Sequence, residues 1–299
     1  MHYIGRFAPS PTGLLHFGSL LAALASYLDA RSNRGTWLLR IEDLDPPREH
    51  AGASDSFPRT LEAFGLQWDG EITLQSQRLG LYQEILEQLI QQQDVYRCNC
   101  SRKQLQLRSG GLPYDGHCQQ HPPNHDSPAA YRIRTADQNN TFQDRIQGIQ
   151  HYNLATDCGD YVIRRKDNLF AYQLAVVVDD HLQQISHVVR GCDLLTETPK
   201  QLYLQQLLGY ATPSYAHIPV AANAAGQKLS KQTYATALDL SRPVPQLLTA
   251  LEFLDQSPDP ALSDARVDDI LQWAIEHWNI DAIPGLPAKE IAPESTCDN

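Results

Sequence analysis

No apolar run in this sequence approaches the roughly 20 residues that a membrane-spanning helix needs; the Leu/Ala-rich stretch Leu20 to Leu28 falls far short. The first residues, Met1-His2-Tyr3-Ile4-Gly5-Arg6, lack the basic-then-apolar layout of a secretion signal, so a cytoplasmic protein with no membrane partner is expected. Basic charge is scarce as well: 24 Lys and Arg against 35 Asp and Glu give a net charge of −11. That balance argues against diffuse binding to nucleic acid or anionic lipid, and it leaves any RNA to a local basic patch on an acidic body. Cysteines number six, at 98, 100, 118, 158, 192 and 297. Three clustered and three scattered thiols suit a reduced protein with a metal better than a disulfide framework. Cys158 and Cys192 read as buried small hydrophobes. Internal repeats and low-complexity tracts are absent too.

What is there is a globular α/β pattern. With 299 residues and 42% hydrophobic, the chain can bury a sizeable core, as one large domain with an insertion or as two to three units. An apolar strand (Tyr3, Ile4, Phe7) breaks at Pro9-Ser10-Pro11-Thr12-Gly13 and resumes as a helix through Leu20, Leu21, Leu24 and Leu28. Such a joint offers unpaired helix N–H groups to a phosphate. His16 and Ser19, three apart, would share the mouth of that helix, and Gly18 would allow close backbone approach. Gly35 to Ile41 reads as a second parallel strand with an acidic carboxyl edge, Glu42-Asp43-Leu44-Asp45, stopped by Pro46-Pro47. Residues 54–70 and 76–93 read as helices. From Val95 to about Leu169 the segments become short and rich in Gln, Asn, Pro and Gly, with strand-like alternations at 131–134 and 161–163, which reads as an inserted α+β module. The α/β pattern then resumes through 170–180 and a strand at 185–191, followed by a helix at 199–208 and a helical tail to about Asn279. The last twenty residues, with Pro284, Pro287 and Pro293, read as poorly ordered.

The run Arg6-Phe7-Ala8-Pro9-Ser10-Pro11-Thr12-Gly13-Leu14-Leu15-His16-Phe17-Gly18-Ser19 resembles the "HIGH" signature of class I aminoacyl-tRNA synthetases, in the form used by the glutamyl and glutaminyl enzymes. Lys228-Leu229-Ser230-Lys231-Gln232 resembles their "KMSKS" loop, 212 residues beyond His16 (228 − 16). Two ordered motifs are far harder to match by chance than either alone. Ser19 stands where the signature usually has its second His, so one cationic phosphate contact is absent. The resemblance implies a class I Rossmann-type parallel sheet over 1–95 and 170–235, split by an acceptor-binding-like insertion over 96–169, with a short helical region and tail over 236–299. Only 67 residues follow Gln232 (299 − 232), which leaves no room for separate anticodon-binding domains. That architecture resembles the truncated branch of the family, the glutamyl-queuosine tRNA(Asp) synthetases, which activate glutamate without tRNA and place it on the queuosine of the tRNA(Asp) anticodon.

The resemblance implies that His16, Ser19, Lys228 and Lys231 serve catalysis, with His16, Gly18, Ser19 and Lys231 on ATP and Mg²⁺ accompanying it. Amino-acid activation needs positioning and cationic stabilisation, with no covalent enzyme intermediate. It also places Arg6, Ser10, Glu42, Tyr172 and Arg190 on glutamate-binding positions. The count suits glutamate, because one ammonium and two carboxylates call for one anion and two Arg forks. Glu42 would take the ammonium, Arg6 and Arg190 the carboxylates, and Tyr172 and Ser10 would donate hydrogen bonds. Arg6 is favoured for the side-chain carboxylate, since a donor-only fork mismatches the amide of glutamine.

Cys98-Asn99-Cys100 and Cys118 can supply three thiolates to a structural Zn²⁺, one per chain. For the fourth ligand, His117 and His121 are favoured by general chemistry, whereas the resemblance points to Tyr114, whose phenol would need its pKa lowered by the metal. Arg164-Arg165-Lys166 and the set Arg97, Arg102, Lys103 and Arg108 are either RNA-phosphate contacts or solvated faces. Three alternatives stand beside the main reading: an ordinary glutamyl-tRNA synthetase catalytic fragment charging the tRNA 3′ end, another adenylyl-transferring Rossmann enzyme, and a non-catalytic tRNA-binding paralogue.

Overall fold

Strand β1 (Ile4–Phe7) and strand β2 (Thr36–Ile41) pair in parallel, Ile4 opposite Thr36 and Phe7 opposite Leu39, with helix α1 (Phe17–Ser32) as their crossover. The computed structural model describes residues 2–111, 113–223 and 236–291. Helix α1 is rich in Leu and Ala, good helix formers with no competing polar groups. It buries Leu20, Leu21, Leu24 and Leu28 in the main core together with Phe7, Trp37 and Leu39. Helix α2 (Ala53–Ala63), a short strand β3 (Thr73–Leu74) beside β2, and helix α3 (Leu79–Gln91) follow.

The stretch expected as one insertion, 96–169, divides. Strand β4 (Val95–Cys98), helix α4 (Arg102–Ser109), the short helix α5 (His117–Gln120) and strand β5 (Ala130–Ile133) belong to a small module. Strand β6 (Asn140–Asp144) and strand β7 (Gly148–Tyr152) form a hairpin that leaves it. A four-residue helix α6 (Leu154–Asp157) leads to strand β8 (Val162–Arg164), which returns to pair antiparallel with β5. Helix α7 (Tyr172–Leu182), strand β9 (His187–Gly191), helix α8 (Thr198–Leu208) and strand β10 (Ser214–Ile218) complete the core sheet. There β6 lies parallel to β10, with Asp144 opposite Tyr215, and the four-stranded order is β7-β6-β10-β9. Polar alternation made the hairpin look like module sequence, but as an edge of the sheet it needs only one buried face. Strand β9 lies against β1, and the Ser186 N–H donates to the Ile4 carbonyl at 2.9 Å.

The remaining elements are strand β11 (Val220–Ala222), helix α9 (Pro243–Phe253), helix α10 (Val267–His277) and strand β12 (Ala288–Glu290). The expected disorder after residue 279 does not hold for 280–291. There Ile280 and Ile283 are buried and β12 pairs in parallel with β11. Pro284 and Pro287 lie in this stretch, and the core gains those two apolar side chains. Among the described residues, no helix is long and apolar enough to cross a membrane.

Candidate active site

The carboxyl ends of β1, β2, β9 and β10 open on one cavity of about 430 Å³, the place where parallel α/β sheets bind ligands. Eight residues singled out from the sequence line it: Arg6, Ser10, His16, Gly18, Ser19, Glu42, Tyr172 and Arg190. Lys228 and Lys231 lie outside the described residues. His16 is the N-cap of α1, and the Ser19 hydroxyl oxygen accepts from the His16 N–H at 3.4 Å. Ser19 therefore closes the helix start and keeps its proton for donation. A Cβ on Gly18 would stand 3.1 Å from the His16 ring, so glycine is what lets that ring lie over the helix mouth.

Beneath the pocket lies a buried charge network that sequence reasoning missed. Arg6 donates through Nε and Nη2 to the two Asp180 oxygens at 3.2 and 3.4 Å, and Arg40 donates to Asp180 at 2.7 Å. Asp179 accepts from Gln75, Arg78 and Tyr82 at 2.8, 2.6 and 2.8 Å. Burial opposes the Asp180 charge, but Arg6 and Arg40 hold its carboxyl below the usual range. Glu42 differs: its Oε1 has no hydrogen-bond partner, with Arg40 3.7 Å away, and burial pushes its carboxyl up to about 7. Asp179 and Asp180, in the last turns of α7, are both buried.

Arg190 is held from several sides. Its Nε donates to His217 Nε2 at 3.0 Å, Nη1 to Gln201 and the Tyr172 hydroxyl at 2.9 and 3.2 Å, and Nη2 to Thr198 at 2.8 Å and to the Leu194 carbonyl at 3.5 Å. Burial pushes the Tyr172 phenol up, so it is a neutral O–H that accepts from Arg190 and can donate onward.

A second cavity of about 400 Å³ shares Ser10, Glu42, Arg48 and Tyr172 with the first and adds Asp45, Glu49, Phe170 and Arg165. Arg165 pairs with Asp45 at 3.0 Å and with Asp167 at 2.6 Å, which joins the turn after β8 to the end of β2. Other members of the basic runs also have partners within the protein. Lys166 donates to the Asn99 carbonyl, Arg97 to the carbonyls of Asn124 and Ser127, and Arg108 to Asp115. Arg102 and Lys103 are exposed.

In the module, Sγ atoms of Cys98, Cys100 and Cys118 lie within 4.8 Å of one another. Tyr114 Oη is 3.5 Å from Cys98 Sγ and 3.8 Å from Cys100 Sγ, and it accepts the Cys118 N–H at 2.9 Å. Gly159, at φ +64°, pairs with Tyr114, and a Cβ there would fall 2.5 Å from the Tyr114 nitrogen. His117 and His121 stack on each other outside this group, ring centroids 4.6 Å apart.

A parallel sheet whose carboxyl ends open on a cavity beside a helix N-terminus is the nucleotide-binding α/β arrangement. Residues 4–242 match the family of tRNA synthetases class I (E and Q), catalytic domain, and the chain belongs to that family. Within it, the similarity runs almost end to end to proteins named glutamyl-Q tRNA(Asp) synthetase. That of Dechloromonas aromatica is 51% identical over 94% of this chain and 96% of its own. The Neisseria meningitidis protein is 52% identical over 94% and 97%, and the Pseudomonas syringae protein 50% identical over 95% of each. The solved glutamate-tRNA synthetase of Elizabethkingia anophelis shares the fold, with a TM-score of 0.83 at 23% identity over 98% of this chain and 69% of that one.

Proposed function

We propose that this enzyme activates L-glutamate with ATP to glutamyl-adenylate without tRNA, and then transfers the glutamyl group to queuosine in the anticodon of tRNA(Asp). The observation that carries the reading is the near-full-length likeness to relatives named glutamyl-Q tRNA(Asp) synthetase. The cavity supplies the chemistry. Glu42, an anion with an unclaimed oxygen, takes the substrate ammonium. Arg6, which lines the cavity with Nε and Nη2 turned to Asp180, takes the side-chain carboxylate, with Tyr172 and Ser10 donating beside it. Arg190 faces the other carboxylate; its longest bond, to the Leu194 carbonyl, is the direction that a carboxylate can take over. His16, Gly18, Ser19 and Lys231 hold the ATP phosphates, and Lys228 serves the same step. Mg²⁺ bound with the nucleotide supplies further charge screening. The carboxylate attacks the α-phosphorus, pyrophosphate leaves, and stabilising that departing charge is the work of the helix mouth and the lysines.

The second cavity, which shares a wall with the first, receives the acceptor. A queuosine cyclopentenediol resembles the ribose diol used elsewhere in the family, so one site can serve either without a change in chemistry. The module binds one structural Zn²⁺ through Cys98, Cys100, Cys118 and Tyr114. Three thiols and a phenol converge on one point, and burial and the neighbouring thiols push the Tyr114 phenol up, so it ligates as phenolate only against a dication. Arg102 and Lys103 are the basic side chains best placed to meet RNA phosphate, and the protein works in the cytoplasm. The test is tRNA(Asp) bearing queuosine whose 3′-terminal ribose lacks both hydroxyls: glutamylation persists. Loss of charging on that tRNA, or charging of a tRNA with guanosine in place of queuosine, identifies an acceptor-end enzyme instead.

A further inference from the structure

His217 and Asp144 sit behind the pocket, both with fully buried side chains. Neither lines the cavity. They arrive from two adjacent strands: His217 near the end of β10, and Asp144 at the end of β6, the strand that leaves the module to join the core sheet. Asp144 Oδ2 lies 2.6 Å from His217 Nδ1, and Asp144 Oδ1 accepts the backbone N–H groups of Ile146, Gln147 and His217 at 3.0, 2.9 and 3.1 Å. The carboxylate is therefore fixed by three donors before it meets the imidazole. On the other side of the ring, Nε2 faces Arg190 Nε at 3.0 Å and the Thr198 hydroxyl at 3.2 Å.

These contacts leave one self-consistent proton arrangement. An arginine only donates, so Nε2 must present a lone pair, and the single ring proton must then sit on Nδ1, where Asp144 accepts it. A doubly protonated ring would set two N–H groups against each other across 3.0 Å. The charges around the ring agree: burial and Arg190 disfavour imidazolium, and they outweigh Asp144 and Asp193, so the pKa is lowered. Tyr215 stacks nearby, centroids 6.1 Å apart, as a neutral phenol pushed up to about 12 by burial.

We infer that the Asp144–His217 pair is a positioning device for the known pocket: it locks the Arg190 guanidinium in one rotation, so that a single edge is presented to the substrate carboxylate. Gln201 and Tyr172 take Nη1, Thr198 and the Leu194 carbonyl take Nη2, and among the described residues His217 is the acceptor on Nε, the third corner of the planar group. Arg190 without that acceptor keeps its charge and loses its orientation, and a mis-set fork engages a carboxylate with one bond in place of two. The inference rests on the reading of Arg190 as a glutamate-binding residue, and its test separates the two.

The experiment is glutamate-dependent ATP–pyrophosphate exchange in the full chain, with KM for glutamate and for ATP measured separately in His217→Leu, His217→Gln and Arg190→Leu. His217→Leu removes the acceptor and raises the glutamate KM about tenfold, with the ATP KM within about twofold. His217→Gln, whose amide oxygen can accept from Arg190, recovers most of that loss. A glutamate KM left unchanged by His217→Leu, or glutamate and ATP KM values rising together in both His217 variants, overturns the positioning role. If Arg190→Leu leaves the glutamate KM at the wild-type value, the assignment of Arg190 fails instead. A readout on the unmutated protein stands even where a variant fails to fold: its ¹⁵N-histidine spectrum, with the His217 signals assigned as those lost in a variant at that position or by sequential assignment, shows a protonated Nδ1 and a bare Nε2 throughout the neutral range. A protonated Nε2 there contradicts the proposal.

Discussion

The floor of the amino-acid pocket and the cysteine module face the same problem, several electron-rich groups crowded together with little water, and they meet it in opposite ways. Under the pocket, the carboxylates of Asp179 and Asp180 are answered from within the chain by Arg6, Arg40 and Arg78 and by the donors of Gln75 and Tyr82. In the module, three thiols and the Tyr114 phenol converge, and the nearby cations are the Arg108 guanidinium, 3.2 Å from Cys100 Sγ, and Arg132 stacked over the Tyr114 ring at 4.0 Å. The two aspartates of the first cluster are satisfied from within the chain, while Arg40 Nε and Glu42 Oε1 beside them are not. The second calls for a cation from outside, and its apolar support is small: Tyr96, Cys98, Tyr114 and Cys118 are its buried members. A self-balanced network presets geometry at any ligand concentration, whereas a thiolate cluster ties the stability of its module to metal supply.

Removing a member of the self-balanced set carries the largest expected effect. Arg6→Gln takes a fork from the substrate and leaves Asp180 with Arg40 alone, so kcat/KM for glutamate in exchange falls about 1000-fold, some 4 kcal/mol. A wild-type glutamate KM in that variant would remove Arg6 from the site. Next comes pH. Glu42 is the one acid of the floor whose oxygen is unclaimed, and its pKa sits at about 7, above the ordinary carboxyl value. It is therefore protonated below that point and anionic above it. Exchange measured at subsaturating glutamate should fall about tenfold per pH unit below 7, with kcat at saturation much flatter. The same shift works against stability as pH rises: the folded form holds the proton between the unfolded carboxyl pKa and about 7, so whatever Glu42 contributes at low pH is lost as pH climbs through that window. Glu42→Gln should abolish the glutamate pH dependence and flatten the stability profile there.

The residues proposed for the pocket were picked out by the family resemblance, and several of them also sit at punctuated joints. Arg6, Ser10, His16 and Gly18 flank a Pro/Gly break between strand and helix, and Glu42 ends an apolar strand at a double proline. Arg40, Asp179, Asp180, Asp144 and His217 were invisible for a physical reason. A charged residue within a strand or a helix reads as surface, and only tertiary packing shows that Arg40 is fully buried against two aspartates. The division of 96–169 was equally hidden, since an edge hairpin that buries one face has the same polar alternation wherever it docks. The stretch 280–291 was misread because its prolines outweighed Ile280 and Ile283, two apolar side chains that are buried; residues 292–299 lie outside the described residues.

Metal removal sharpens the comparison further, because it should act on one region and spare the other. With Zn²⁺ stripped by a chelator, or in Cys98→Ser, amide protons of β4, β5 and α5 lose their protection against exchange, while glutamate-dependent exchange activity falls no more than about threefold. A collapse of both together would mean that the module and the pocket floor form one cooperative unit.

The smallest expected effect is also the most discriminating, since it decides what completes the cluster. His117 and His121 are the better ligands by general chemistry, yet their rings stack on each other, His121 Nδ1 lies 3.2 Å from the His117 carbonyl, and neither ring joins the group of sulfurs. Tyr114 Oη is within 4 Å of two sulfurs and anchored by the Cys118 N–H, and Gly159 makes room for its backbone. His117 and Cys118 are neighbours on the single turn of α5. The double variant His117→Ala, His121→Ala should therefore keep one zinc per chain with affinity within about twofold of wild type, whereas Tyr114→Phe should weaken it about tenfold or more. Loss of zinc from the double variant with full retention in Tyr114→Phe would reverse the assignment and place the fourth ligand on α5.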